Sequence, residues 1–411
     1  MDERLRDLER AARARPDDRA AAWALVRALE QAGDRTGAWR SLCALARAGD
    51  DAAWDALDRR PAGLRRTPEV VAEARWPREA LPAHGAALED ALVLFDGLDV
   101  VALAPLDLAE RWRVRVRSSQ ATLPALCGPV VGCVGRRLGR GPELVVIDGA
   151  GGRVVGRSRL GHRGAEDMGI SATADRLVAR TRDGGGGSAT AHVFDALEVE
   201  APLAEDTIVL PASPGRGARG RLISRFGQVL TARPLEGGDP LWTANGSVLH
   251  ADDRGLLVAR SGPAAPEDHA VELDLASGRP RWVRAREAGA GPALLTREVA
   301  VLAAERDGLS LVALDRADGA ERWRQTAGSG RCSVHDVVAA RDVVYVVAAF
   351  TADERRFEAF VLGFDLATGE PLFRHRLADE HAAPRLALVA LEKAVAVIAS
   401  RRDGTTVTRL A

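Results

Sequence analysis

A repeat constrains this chain more than any other feature of its sequence. Leu273-Asp274-Leu-Ala-Ser-Gly278-Arg-Pro-Arg-Trp282, Leu314-Asp315-Arg-Ala-Asp-Gly319-Ala-Glu-Arg-Trp323 and Phe364-Asp365-Leu-Ala-Thr-Gly369-Glu-Pro-Leu-Phe373 share one spacing. In each, an apolar run ends at an Asp, a Gly follows four residues later and an aromatic stands eight residues after the Asp. The Asp is suited to accept hydrogen bonds from turn amides, the Gly to supply a positive φ, and the aromatic to open the next strand with a large side chain to bury. Weaker copies keep the offsets at Asp148/Gly152/Gly156, Asp195/Val199/Leu203 and Pro234/Gly238/Trp242, and Asp107 with Trp112 is a shortened version. The markers Asp107, Asp148, Asp195, Pro234, Asp274, Asp315 and Asp365 lie 41, 47, 39, 40, 41 and 50 residues apart, a period that suits a unit of four short strands.

These Asp-x-x-x-Gly-x-x-x-Trp signatures resemble the PQQ-like repeat family over roughly Pro68 to Ala411, with the strongest copies at the last three markers. The resemblance implies a mainly β fold, an eight-bladed β-propeller with a seven-bladed ring as the alternative. Its eight-bladed members include quinoprotein dehydrogenases and the outer-membrane assembly lipoprotein propeller. After Phe373 the sequence holds three further strand-like runs, near Leu386–Ala390, Ala394–Ala399 and Thr405–Leu410. The stretch Pro68-Glu-Val-Val-Ala72-Glu-Ala-Arg-Trp76 carries a small residue at the fourth offset and Trp at the eighth. A strand at 68–77 is therefore expected to complete the last blade, because a closed array leaves no exposed edge.

The first 60 residues read differently. From Leu5 to about Leu57 apolar residues recur at helical spacing, with breaks at Arg15-Pro16-Asp17-Asp18, Ala32-Gly33-Asp34 and Ala48-Gly49-Asp50, each followed by an Asp placed to cap the next helix. Three helices are expected, and Trp23 to Trp39 resembles a tetratricopeptide (TPR) repeat. The expected layout is a helical TPR-like segment over 1–60 and a propeller over 61–411.

Composition narrows the function. Fifty-seven basic against fifty-eight acidic residues give a net charge of -1, so no general attraction to nucleic acid or to an anionic membrane is expected. Lys393 is the single lysine and does not follow a glycine-rich loop, which excludes a P-loop nucleotide site. The charged start Met1-Asp2-Glu3-Arg4 and the scattered Cys43, Cys127, Cys133 and Cys332 point to reduced thiols in a cytoplasmic protein.

Candidate chemistry is sparse. Arg331-Cys332-Ser333-Val334-His335-Asp336 gathers a thiol, an imidazole and a carboxylate, yet on a strand residues three apart face opposite sides, so a structural Cys and a loop His are expected. Leu144-Val-Val-Ile-Asp148-Gly149-Ala150-Gly151-Gly152 passes for a dinucleotide fingerprint only until Val154 takes the third glycine's place; it reads as a turn, as Gly184–Gly187 reads as a loop. Trp112, Trp242, Trp282 and Trp323 recur at the repeat's own offset, which favours packing over a ligand cage. No adjacent cysteines of the kind that cover the cofactor in many quinoproteins are present. The expectation is a non-catalytic scaffold that binds a protein partner, with no catalytic, cofactor-binding or metal residues and no cofactor. The alternatives are a quinoprotein-like enzyme using the axial pocket and an envelope assembly factor.

Overall fold

The computed structural model describes residues 3–14, 18–32, 38, 41–42, 45, 50, 52–53, 70–83, 91–116, 120–136, 141–160, 165–172, 176–183, 188–195, 204–209, 216–218, 221–226, 229–234, 238–252, 254–262, 265–285, 290–305, 308–328, 331–353, 356–380, 385–391, 394–401 and 403–411. Among the described residues two helices, α1 (Glu3–Ala14) and α2 (Arg19–Gln31), come first, and the elements from Val70 onward are strands. Asp18 caps α2 as its position predicts, its Oδ1 accepting the Ala21 amide at 3.0 Å. Asp50 plays a similar part further on: Oδ1 accepts from the Ala53 amide at 3.1 Å and Oδ2 from the Trp23 indole at 3.0 Å. The rest of the expected third helix, and much of the TPR-like segment, lie outside the described residues.

The strands form eight antiparallel sheets among the described residues, and in seven of them the strands come from one continuous stretch of chain. Those stretches are 81–115, 120–159, 165–209, 216–245, 247–285, 290–327 and 332–380. The eighth sheet is composite: Arg385–Ala390, Val395–Arg401 and Gly404–Leu410 are joined at the outer edge by Val70–Trp76, which pairs Ala72 with Arg409, Ala74 with Val407 and Trp76 with Thr405.

Burial explains the texture of the sequence. Middle strands such as Asp99–Leu103 and Val299–Glu305 are buried almost throughout, so they read as unbroken apolar runs. Outer strands such as Glu110–Arg115 and Glu321–Ala327 expose their charged residues and bury the tryptophan.

The chain divides into two compact units. One holds Met1–Glu69, Glu287–Asp315 and Ala320–Pro384; its core gathers Val26, Leu42, Leu45 and Ala53 from the helical segment with Leu294, Val301, Leu311, Trp323 and Phe364 from the sheets. The helical segment is thus packed on sheets more than two hundred residues away in sequence. The other unit holds Val70–Arg286, Arg316–Gly319 and Arg385–Ala411 and includes the composite sheet.

Removing Val70–Trp76 would leave the Gly404–Leu410 edge without its ladder partner. A chain beginning at Arg78 should therefore aggregate, or melt about 5 °C or more below one beginning at Leu64, in thermal unfolding followed by circular dichroism. Both lack the helices, so the difference isolates the strand, and equal melting with both chains monomeric would refute its role.

Candidate functional site

The repeat's aromatics do one job at four places. Trp112 donates its indole N–H to Gly149 O at 2.8 Å, Trp242 to Leu275 O at 3.0 Å, Trp282 to Arg316 O at 3.2 Å and Trp323 to Leu366 O at 2.9 Å. Each acceptor is the residue after a marker Asp, so each Trp reaches the turn of the following repeat. The four rings are 5–8% exposed. Each lies on the next marker glycine: a Cβ added at Gly152, Gly278, Gly319 or Gly369 would sit 2.5–2.8 Å from indole carbons of Trp112, Trp242, Trp282 or Trp323. Gly319 shows the double requirement, with φ at +72° and the Trp282 ring where a side chain would go. The marker Asp completes the turn. Asp274 Oδ1 accepts from the Ser277 amide at 2.9 Å, and Asp365 Oδ1 from the amides of Ala367 and Thr368 at 3.0 and 2.9 Å. The Arg281 guanidinium on its other oxygen at 2.8 Å, aided by Ser277, holds the Asp274 carboxyl down at about 2.

A buried ion cluster stands beside this docking surface. Arg316, in the turn that accepts Trp282, places Nη1 2.5 Å and Nη2 2.7 Å from the Asp252 oxygens and Nε 2.7 Å from Glu272 Oε1. Arg281 adds a contact to Glu272 Oε1 at 3.2 Å. Glu272 is wholly buried, and its Oε2 has no hydrogen-bond partner among the described residues. Burial pushes its carboxyl above the usual range against the pull of the two arginines. For Asp252 burial acts the same way, but Arg316 and the amides of Arg254 and Gly255 outweigh it and the carboxyl stays low. Gly255 is needed here, since a Cβ there would lie 2.5 Å from Glu272 Oε1.

Cys332 and His335 both fall on a first strand of a sheet, Cys332–Ala340, so His335 is not the loop residue expected. The parity argument that would keep them apart does not hold, because the ladder to the neighbouring strand is irregular between Val334 and Asp336, a bulge at His335. Glu305 reaches into this stretch, its Oε1 accepting the Val334 amide at 2.6 Å. Burial and the Glu305 charge push the Cys332 thiol up to about 11, and burial holds His335 below its usual value despite Glu305. A protonated thiol is a poor nucleophile. Cys133 is sealed further, its Sγ 3.3 Å from Thr122 O and its thiol pushed up to about 12 by burial. The glycines after Asp148 form a turn, with Gly151 N on Asp148 Oδ2 at 2.9 Å, while Gly184–Gly187 lie outside the described residues.

A quinone held with calcium, which the repeat resemblance raises, needs carboxylate oxygens free to converge on the ion. Among the described residues no three His, Cys, Asp or Glu side chains converge in that way. The buried carboxylates are engaged instead, Glu272 by Arg316 and Arg281, and Asp99 by Arg115 and Arg113.

Residues 266–409 match the family described as outer membrane protein assembly factor BamB. No curated protein matches the chain. Among solved structures, Saccharomyces cerevisiae Sqt1 superposes with a TM-score of 0.59 at 9% identity, over 84% of this chain and 99% of its own. The C-terminal WD40 domain of Sif2 gives 0.56 at 11% identity over 84% and 99%, and quinohemoprotein alcohol dehydrogenase ADHIIG from Pseudomonas putida HK5 gives 0.54 at 10% over 84% and 76%. At such identities the likeness is one of fold. The fold is that of a β-propeller.

Two outcomes follow from these contacts. Trp282→Ala and Trp323→Ala should each lower unfolding free energy by about 3–5 kcal/mol in denaturant melts, the cost of emptying a large buried aromatic site. A loss below about 1 kcal/mol would return the ring series to a ligand-binding role. In the folded protein, alkylation of Cys332 by iodoacetamide should be slow at pH 7–8 and quicken up to pH about 11, read by peptide mass spectrometry. Fast labelling at pH 7 would mean an activated thiol.

Proposed function

We propose that this protein is a non-catalytic interaction scaffold of the cytoplasm that presents its propeller surfaces, with the helical segment, to a protein partner. The observation that carries this reading is the state of its reactive groups. Burial pushes the thiols of Cys133 and Cys332 up and the His335 imidazole down, and the buried carboxylates Asp99 and Glu272 face arginines. Groups arranged so serve packing and leave surface shape and charge as the functional resource. The net charge of -1 favours a protein partner over nucleic acid. No helix among the described residues is long and apolar enough to cross a membrane.

A second reading, an envelope assembly factor, draws on the family match over residues 266–409. A quinoprotein-like enzyme is the third, and it draws on fold alone.

Purification of the chromosomally tagged protein from its native host separates them. The scaffold reading expects it in the cytoplasmic fraction, as a complex of fixed stoichiometry in native mass spectrometry, without quinone absorbance. An envelope fraction would favour the assembly role, and a quinone band with stoichiometric calcium would overturn both.

A further inference from the structure

Pro77–Ala80 links the strand Val70–Trp76 to the strand Leu81–Pro82 of the following sheet. Ala80 is 1% exposed and belongs to neither ladder, so its peptide groups need partners from elsewhere. Two hydroxyls of the last hairpin supply them. Thr405 Oγ1 accepts the Ala80 amide at 2.7 Å and donates to Arg78 O at 2.9 Å, while the Ser400 hydroxyl donates to Ala80 O. The hydroxyl oxygens lie 2.9 Å apart, on residues paired across the hairpin and each 2% exposed. Gly404 lets the link pass, since a Cβ there would lie 2.5 Å from Trp76 O.

The far end of the strand is held differently. Val70 and Val71 are 49% and 45% exposed, the ladder is irregular between Val70 and Ala72, and no residue of the strand is fully buried. The Arg385–Glu79 ion pair at 3.0 Å is too exposed to fix the link.

We infer that Ser400 and Thr405 form a hydroxyl clasp that makes residues 70–80 a strap on the last hairpin, loosening from the Val70 end and released as a unit when the clasp opens. The ladder alone does not account for the hold at Ala80, because no strand hydrogen bond reaches its peptide groups. Opening the strap bares the outer edge of Gly404–Leu410.

Amide hydrogen exchange resolved by residue tests the clasp in the full chain. Thr405→Ala should speed exchange of the Ala80 amide and of residues 72–76 by about tenfold or more, the loss of a buried hydrogen-bond partner. Amides of Leu256–Leu273 should keep their wild-type rates. Thr405→Ser retains the hydroxyl and should stay within about threefold of wild type. Ser400→Ala removes the bond to Ala80 O and the hydroxyl contact with Thr405 and should open the same segment, which keeps the test available if Thr405→Ala does not fold. Unchanged protection in Thr405→Ala, equal loss in Thr405→Ser, or loss spread evenly over all sheets would overturn the clasp.

Discussion

An indole lying on a glycine and hydrogen-bonded to the carbonyl three residues before it joins a repeat to the next at Trp112, Trp242, Trp282 and Trp323. The contact needs both partners: a ring with one N–H donor on an outer strand, and a turn whose backbone is bare enough to approach. Burying an aromatic ring contributes the energy, and the N–H to carbonyl bond fixes where along the turn the ring sits. The marker Asp holds the turn so that the acceptor carbonyl and the bare glycine face the same ring. Asp, Gly and Trp therefore act as one device divided between consecutive repeats.

Other groups work around that device. Arg316 lends its carbonyl to Trp282 and its guanidinium to Asp252 and Glu272, so one turn residue serves both the aromatic and the ionic contact. Without Arg316 the wholly buried Glu272 would keep only the longer Arg281 contact, so loss of the arginine leaves the carboxylate poorly compensated. At the other end of the chain, strand pairing and two hydroxyls do what the indoles do elsewhere, binding Val70–Ala80 to the final hairpin.

Much of this was legible in the sequence. Asp274, Gly278 and Trp282 stand within nine residues, and what each does for its own turn or strand follows from local chemistry. The capping aspartates Asp18 and Asp50 were legible for the same reason. What each indole touches was not, since its partner carbonyl lies 33 to 43 residues on. The clamp between Glu272 and Arg316, 44 residues apart, and the clasp between Ala80 and Thr405, 325 apart, left no local signal. At Cys332 and His335 the strand was legible but its bulge was not, because a single extra residue in a ladder depends on the partner strand. The sheets on which the helical segment packs were likewise invisible to a linear reading.

The docking of an aromatic on the next repeat's glycine is best tested by a double-mutant cycle on Trp282 and Gly319, with unfolding free energies of the wild type, Trp282→Ala, Gly319→Ala and the double variant. If the ring occupies the space a side chain at Gly319 needs, Gly319→Ala is strongly destabilising beside Trp282 and costs only its backbone strain once the ring is gone. The cycle should then show a coupling of about 1 kcal/mol or more. Additive effects within about 0.5 kcal/mol would contradict the account, because they would mean that ring and glycine do not meet.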